Sequence, residues 1–123
     1  MRMNFGPIWA FLALLCLPLL WPAQAYAHAT LVTADPAPNA TVMTPKMIQL
    51  QFSTELAKKF STFKLTDTDG APVALTVMAS NDSKVLMAMP AAPLGAGLYT
   101  VSWTAVSTND GHKTSGSYSF SVQ

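Results

Sequence analysis

Histidine occurs twice in this sequence, at positions 28 and 112, and both positions suit a metal ion. His28 directly follows Ala25-Tyr26-Ala27, the small-x-small pattern at which signal peptidase cuts. Cleavage after Ala27 would make His28 the first residue. An α-amine titrates near ~8, against ~10.4 for a lysine amine, so at neutral pH it yields its proton to a metal far more readily. The amine and ring Nδ1 of one residue can then close a chelate on a single ion. The second histidine stands in Asp110-Gly111-His112, and side chains at i and i+2 of a loop or extended backbone can converge on that ion. Three nitrogens and one carboxylate oxygen form the tetragonal N,O set preferred by Cu(II), which also heads the Irving–Williams order. Each piece alone is commonplace, since Asp-Gly is ordinarily a turn. Their conjunction points to one Cu(II) ion held by His28, Asp110 and His112.

The residues that are missing narrow the chemistry further. The only cysteine is Cys16, inside the apolar N-terminal stretch, so residues 28–123 can form no disulfide and offer no thiolate nucleophile. Blue-copper electron transfer, which needs a cysteine ligand, is excluded on the same ground. No catalytic constellation is visible. Seven Lys+Arg stand against six Asp+Glu with no run of either sign, so there is no basic face for a nucleic acid.

The elements that must position these residues begin with a targeting segment. Arg2 is the only charge before Asp35, and an apolar run follows from Ile8 to Trp21. That pattern, closed by the Ala-x-Ala sequence, reads as a secretory signal peptide over residues 1–27. Pro18 and Pro22 argue against a retained membrane anchor. Residues 28–123 then form a single exported domain, periplasmic and not embedded in the membrane.

Within it the apolar residues recur every second position. Ile48, Leu50 and Phe52 alternate with polar residues, and so do Tyr118, Phe120 and Val122. Phe63 and Leu65, the series Val73, Leu75 and Val77, the series Val85, Met87 and Met89, and Tyr99 to Ala105 read the same way. An early segment near Ala29 to Thr33 completes the set. Period-2 segments divided by turn residues predict an all-β fold: an immunoglobulin-like or cupredoxin-like Greek-key β-sandwich of about seven strands. Only Thr54 to Lys59 could hold a helical turn. Trp103, Tyr99, Phe52 and Phe120 are the expected core.

The ordered set of short motifs resembles the CopC family of periplasmic copper-binding proteins. The resemblance is carried by Ala-x-Ala-His28-Ala29-Thr30-Leu31, Asp35-Pro36-Ala37-Pro38-Asn39-Ala40 and Ile48-Gln49-Leu50-Gln51-Phe52-Ser53. It continues through Gly97-Leu98-Tyr99-Thr100-Val101-Ser102-Trp103, Ala105-Val106-Ser107, Asp110-Gly111-His112 and Gly116-Ser117-Tyr118-Ser119-Phe120. It implies Cu(II) bound by the terminal amine and ring of His28 with Asp110 and His112. It also implies a role in copper resistance, as sequestration or as delivery to an inner-membrane importer of the CopD type.

The chain departs from that family in three places. Between Phe63 and Lys84 there is a single Met78 and no histidine, where some members carry a methionine-rich Cu(I) loop. Met43 and Met47, or Met87 and Met89, offer other thioethers at a spacing that also fits core packing. Thr54 stands where many relatives have a glutamate, with Glu55 one position later, and Asn109 looks inserted beside Asp110.

Two other functions compete. A metal-free adhesive or assembly module of immunoglobulin-like fold would not require histidine at position 28. An oxidative copper enzyme acting on polysaccharides uses a similar terminal chelate. The short domain, the carboxylate filling the copper plane and the lack of an aromatic row favour a binding protein over an enzyme.

Overall fold

A computed structural model describes residues 28–123; the expected signal peptide and its cleavage point lie outside the described residues. The strands are β1 (Leu31–Asp35), β2 (Thr41–Val42), β3 (Ile48–Phe52), β4 (Thr62–Thr66), β5 (Pro72–Val73), β6 (Leu75–Met78), β7 (Val85–Pro90), β8 (Gly97–Val106) and β9 (Lys113–Val122). They form two sheets, ordered β1-β3-β7-β6 and β2-β9-β8-β4-β5, and no helix occurs among the described residues. This is the expected all-β sandwich.

The alternation that predicted β3 is the alternation observed. Ile48, Leu50 and Phe52 are buried while Gln49 and Gln51 are exposed, so one face of the strand meets the other sheet. Phe120, Leu65 and Val101 close on them from the second sheet, all essentially inaccessible to solvent. Tyr99 stacks on Phe120 with centroids 5.8 Å apart and donates its hydroxyl to Gly95 O at 2.8 Å, so the ring is buried while its polar tip is satisfied. Trp103 sits at the margin of this core. It meets Phe52 edge-on at 5.0 Å and lies over Gly116 on β9, where any side chain would collide with the indole.

The observed elements differ from expectation in four respects. Val73, Leu75 and Val77 belong to two strands: β5 pairs with β4, β6 pairs with β7, and the chain changes sheets at Ala74. Period 2 reports which face a residue takes but not which sheet its strand joins. The short β2 was not legible; it pairs in parallel with β9. Segment 54–59 is not helical: Leu56 bridges to Ser107, and a turn over residues 57–60 is closed by Phe60 N–H donating to Ala57 O.

On β7 the inward residues are Leu86 and Ala88. Met87 lies opposite the exposed Gln49, and Met89 is about a third exposed, so these methionines face outward and are not core. The run Val-Leu-Met-Ala-Met is apolar at every position, which hides its inward parity.

Candidate metal centre

The residues singled out by type come together at one end of the sandwich, at the seam between the sheets. His28 precedes β1, the edge strand of the first sheet, and Asp110 and His112 lie in the loop joining β8 to β9 of the second.

The loop is held in a tight local structure. Ser107 is fully buried; its N–H donates to His112 O at 3.1 Å, and its carbonyl accepts from Gly111 N–H at 2.9 Å. Gly111 takes a left-handed φ of 71°, which a residue without Cβ adopts without strain. Asp110 Oδ1 accepts the His112 N–H at 3.0 Å, an Asx turn that fixes the pair in register. Segment 54–57 supports the loop from outside: Thr108 N–H donates to Glu55 O at 3.1 Å, and Asn109 Nδ2 donates to Thr54 Oγ1 at 3.1 Å. The two residues that depart from the family pattern, Thr54 and Asn109, are thus partners of one another. Glu55 bonds to the loop through its backbone carbonyl, which accepts from both the N–H and the hydroxyl of Thr108.

His28 is positioned through the residues behind it. Ala29 is buried, and its carbonyl accepts from Thr114 Oγ1 at 2.7 Å. Ser53, just past β3, accepts Thr30 N–H at 3.0 Å and donates to His28 O at 3.4 Å.

The result is a converging donor set. His112 Nδ1 lies 3.0 Å from His28 Nε2, 3.3 Å from His28 Nδ1 and 3.5 Å from Asp110 Oδ2. The imidazoles stack with centroids 4.2 Å apart at 21°. One donor atom from each of His28, Asp110 and His112 can be chosen with all three within 4.8 Å of one another. Two nitrogens bound side by side to one ion at about 2.0 Å stand about 3 Å apart, which is the separation seen here. The Nδ1 that a terminal chelate would use is the farther of the two His28 nitrogens by 0.3 Å.

The His112 side chain is 61% exposed and that of Asp110 32%, so an ion would arrive from solvent without passing a gate. The Asp110 carboxyl titrates below the usual carboxylate range, first because the His112 N–H donates to it and then because of the nearby histidine charges. It is therefore an anion at neutral pH.

The three residues expected from the sequence as ligands, His28, Asp110 and His112, are brought together in the structure. Sequence reasoning missed Ser53 and Thr114, whose hydroxyls reach backbone groups of residues 28–30, far away in the chain, and leave no trace in local spacing.

The model of the CopC domain matches residues 31–123. This chain belongs to the CopC family. Among its relatives, copper resistance protein C of Escherichia coli is 40% identical over 108 residues, covering 81% of this chain and 85% of that protein. Copper resistance protein C of Pseudomonas syringae pv. tomato is 37% identical over 121 residues, covering 93% and 95% respectively. The crystal structure of PcoC, a methionine-rich copper resistance protein from Escherichia coli, superposes with a TM-score of 0.74 at 41% identity. That match covers 79% of this chain and all of PcoC. The CopC-family match begins at β1, and its span includes Asp110 and His112 while His28 lies three residues ahead of it.

Proposed function

We propose that this CopC-family chain is an exported copper-resistance protein that binds one Cu(II) ion and is not an enzyme. His28 supplies its α-amine and ring after the leader is removed behind Ala27, and Asp110 and His112 supply the remaining donors. The observation that carries the reading is the meeting of these three side chains, from two sheets, within 4.8 Å at an open end of the sandwich. Three nitrogens and one carboxylate favour tetragonal Cu(II) over tetrahedral Zn(II). The relatives named copper resistance protein C support the resistance role; in this reading the chain exercises it by holding the ion in the periplasm or by passing it to an inner-membrane importer of the CopD type. Exposure of His112 favours such a hand-off, because a partner's ligands could reach the ion directly. Among the described residues no helix is long and apolar enough to cross a membrane.

The deciding experiment compares the processed protein, starting at His28, with a version carrying one extra residue ahead of it. In the longer form the nitrogen of His28 is an amide and has no free lone pair. The processed protein should bind one Cu(II) with a tetragonal, nitrogen-rich electron paramagnetic resonance signal. The extended one should fold identically and bind far more weakly, and His112→Ala should weaken both. Equal affinity in the two forms would exclude the terminal chelate; unchanged affinity in His112→Ala would place the copper elsewhere, and no specific binding by the processed protein would return the domain to the metal-free module.

A further inference from the structure

Resting on that reading, we infer that Thr114 is a positioning residue for copper, its hydroxyl holding the backbone of the His28 segment at the distance the ion requires from His112.

The two histidines hang from different sheets. Nothing in either sheet's own ladder sets the gap between them, because β1 pairs with β3 while β9 pairs with β8 and β2. Thr114 spans that gap. It lies two residues beyond His112 on β9, and its Oγ1 donates to Ala29 O, one residue beyond His28, at 2.7 Å. This bond is shorter than either link from segment 54–57 to the loop. Thr114 is itself fixed in its own sheet by its ladder pairing with Ala105 on β8. Ala29 is 1% exposed, which leaves water little access to replace the donor. On the other side Ser53 grips the neighbouring residues, accepting Thr30 N–H and donating to His28 O. The tripeptide His28–Thr30 is therefore clasped between a hydroxyl from each sheet.

The mode of ligation makes this bond matter. A histidine that binds only through its ring can offset a backbone shift by rotating χ1 and χ2. A terminal chelate cannot, because one of its donors is the backbone nitrogen itself. The position of the His28 main chain is then a coordinate of the copper site, and the Thr114 hydroxyl holds the adjoining Ala29 carbonyl from the opposite sheet.

The test uses the processed protein with Thr114→Val, which keeps the shape and removes the donor, and Thr114→Ser, which keeps the donor and removes the methyl. At full loading, Thr114→Val should bind Cu(II) about tenfold more weakly, the equivalent of one lost hydrogen bond, with changed copper hyperfine splitting. Thr114→Ser should keep the wild-type spectrum and an affinity within about threefold. If Thr114→Val does not fold, Thr114→Ala removes the same bond and replaces it in the comparison. A valine variant with the parental affinity and spectrum would overturn the inference, as would a serine variant impaired as much as the valine one. His112→Ala serves as the control: if it loses copper while Thr114→Val does not, the site stands and only the role of Thr114 falls.

Discussion

Asp110 uses its two carboxylate oxygens differently. Oδ1 accepts the His112 N–H and shapes the turn, while Oδ2 points toward His112 Nδ1 at 3.5 Å. Asp110→Asn should separate the two roles, since an amide oxygen still accepts the N–H but carries no charge. The metal-free variant should melt as the parent does and bind Cu(II) at least ~10-fold more weakly, measured by competition with a chelator. The lowered Asp110 pKa also sets the form of the pH dependence. An anion stabilised in the fold contributes above the ordinary carboxylate range and is lost only as pH falls through its depressed value. Between pH 7 and pH 5 Asp110 therefore stays ionised, and copper lost there must leave because nitrogens take protons. Affinity should fall most steeply below about pH 6.5, where imidazoles ordinarily titrate. Affinity constant over that window would remove histidine from the ligand set. At this scale the sequence was informative for Asp110 and His112, whose i, i+2 spacing survives in the fold. It said nothing of Thr114, whose partner is 85 positions away.

Among the elements, β9 carries the most consequence. Gly116 exists there so that Trp103 can cross it: an added Cβ would lie 2.6 Å from Cζ2 of the indole. Gly116→Ala should cost about 1–3 kcal/mol, typical of overpacking, and lower the melting temperature of the metal-free protein. A variant as stable as the parent would mean that the indole swings away freely. Two residues on, Tyr118 donates its hydroxyl to Pro36 O at 2.9 Å. Burial, assisted by Asp35, pushes this phenol up to about 12 from 10.0. A raised pKa favours the neutral form in the fold, so its stabilisation is complete below pH 10 and is lost as pH rises toward 12. Ultraviolet titration should show a late-ionising phenol that Tyr118→Phe removes. The alternation of Tyr118, Phe120 and Val122 made this strand easy to read. The all-apolar β7 and the broken Val73–Val77 series were harder, because neither face nor sheet is encoded where every residue is apolar or a strand changes partners.

At the scale of the whole molecule, stability rests on the buried side chains of one sandwich. Phe120, Phe52 and Leu65 are essentially inaccessible to solvent, and truncating Phe120 to alanine should cost about 3–5 kcal/mol. Ligand binding adds to that core by mass action. At a free Cu(II) concentration a thousandfold above its dissociation constant, the gain is about 4 kcal/mol. For a domain of this size the melting temperature of the processed protein should then rise by more than ~10 °C, and that of the form extended ahead of His28 much less. Equal shifts in the two would place copper elsewhere. The seam between the sheets has one more consequence. His28 and His112 are 84 residues apart in the chain yet meet at one point, so an ion held by both would close nearly the whole domain into a ring. Residues 28–123 contain no cysteine, and the metal would serve as their one removable cross-link. The stretch between His28 and His112 could not be drawn out in a loaded molecule without first surrendering the ion. Copper should then slow unfolding and proteolysis, and a chelator should restore both.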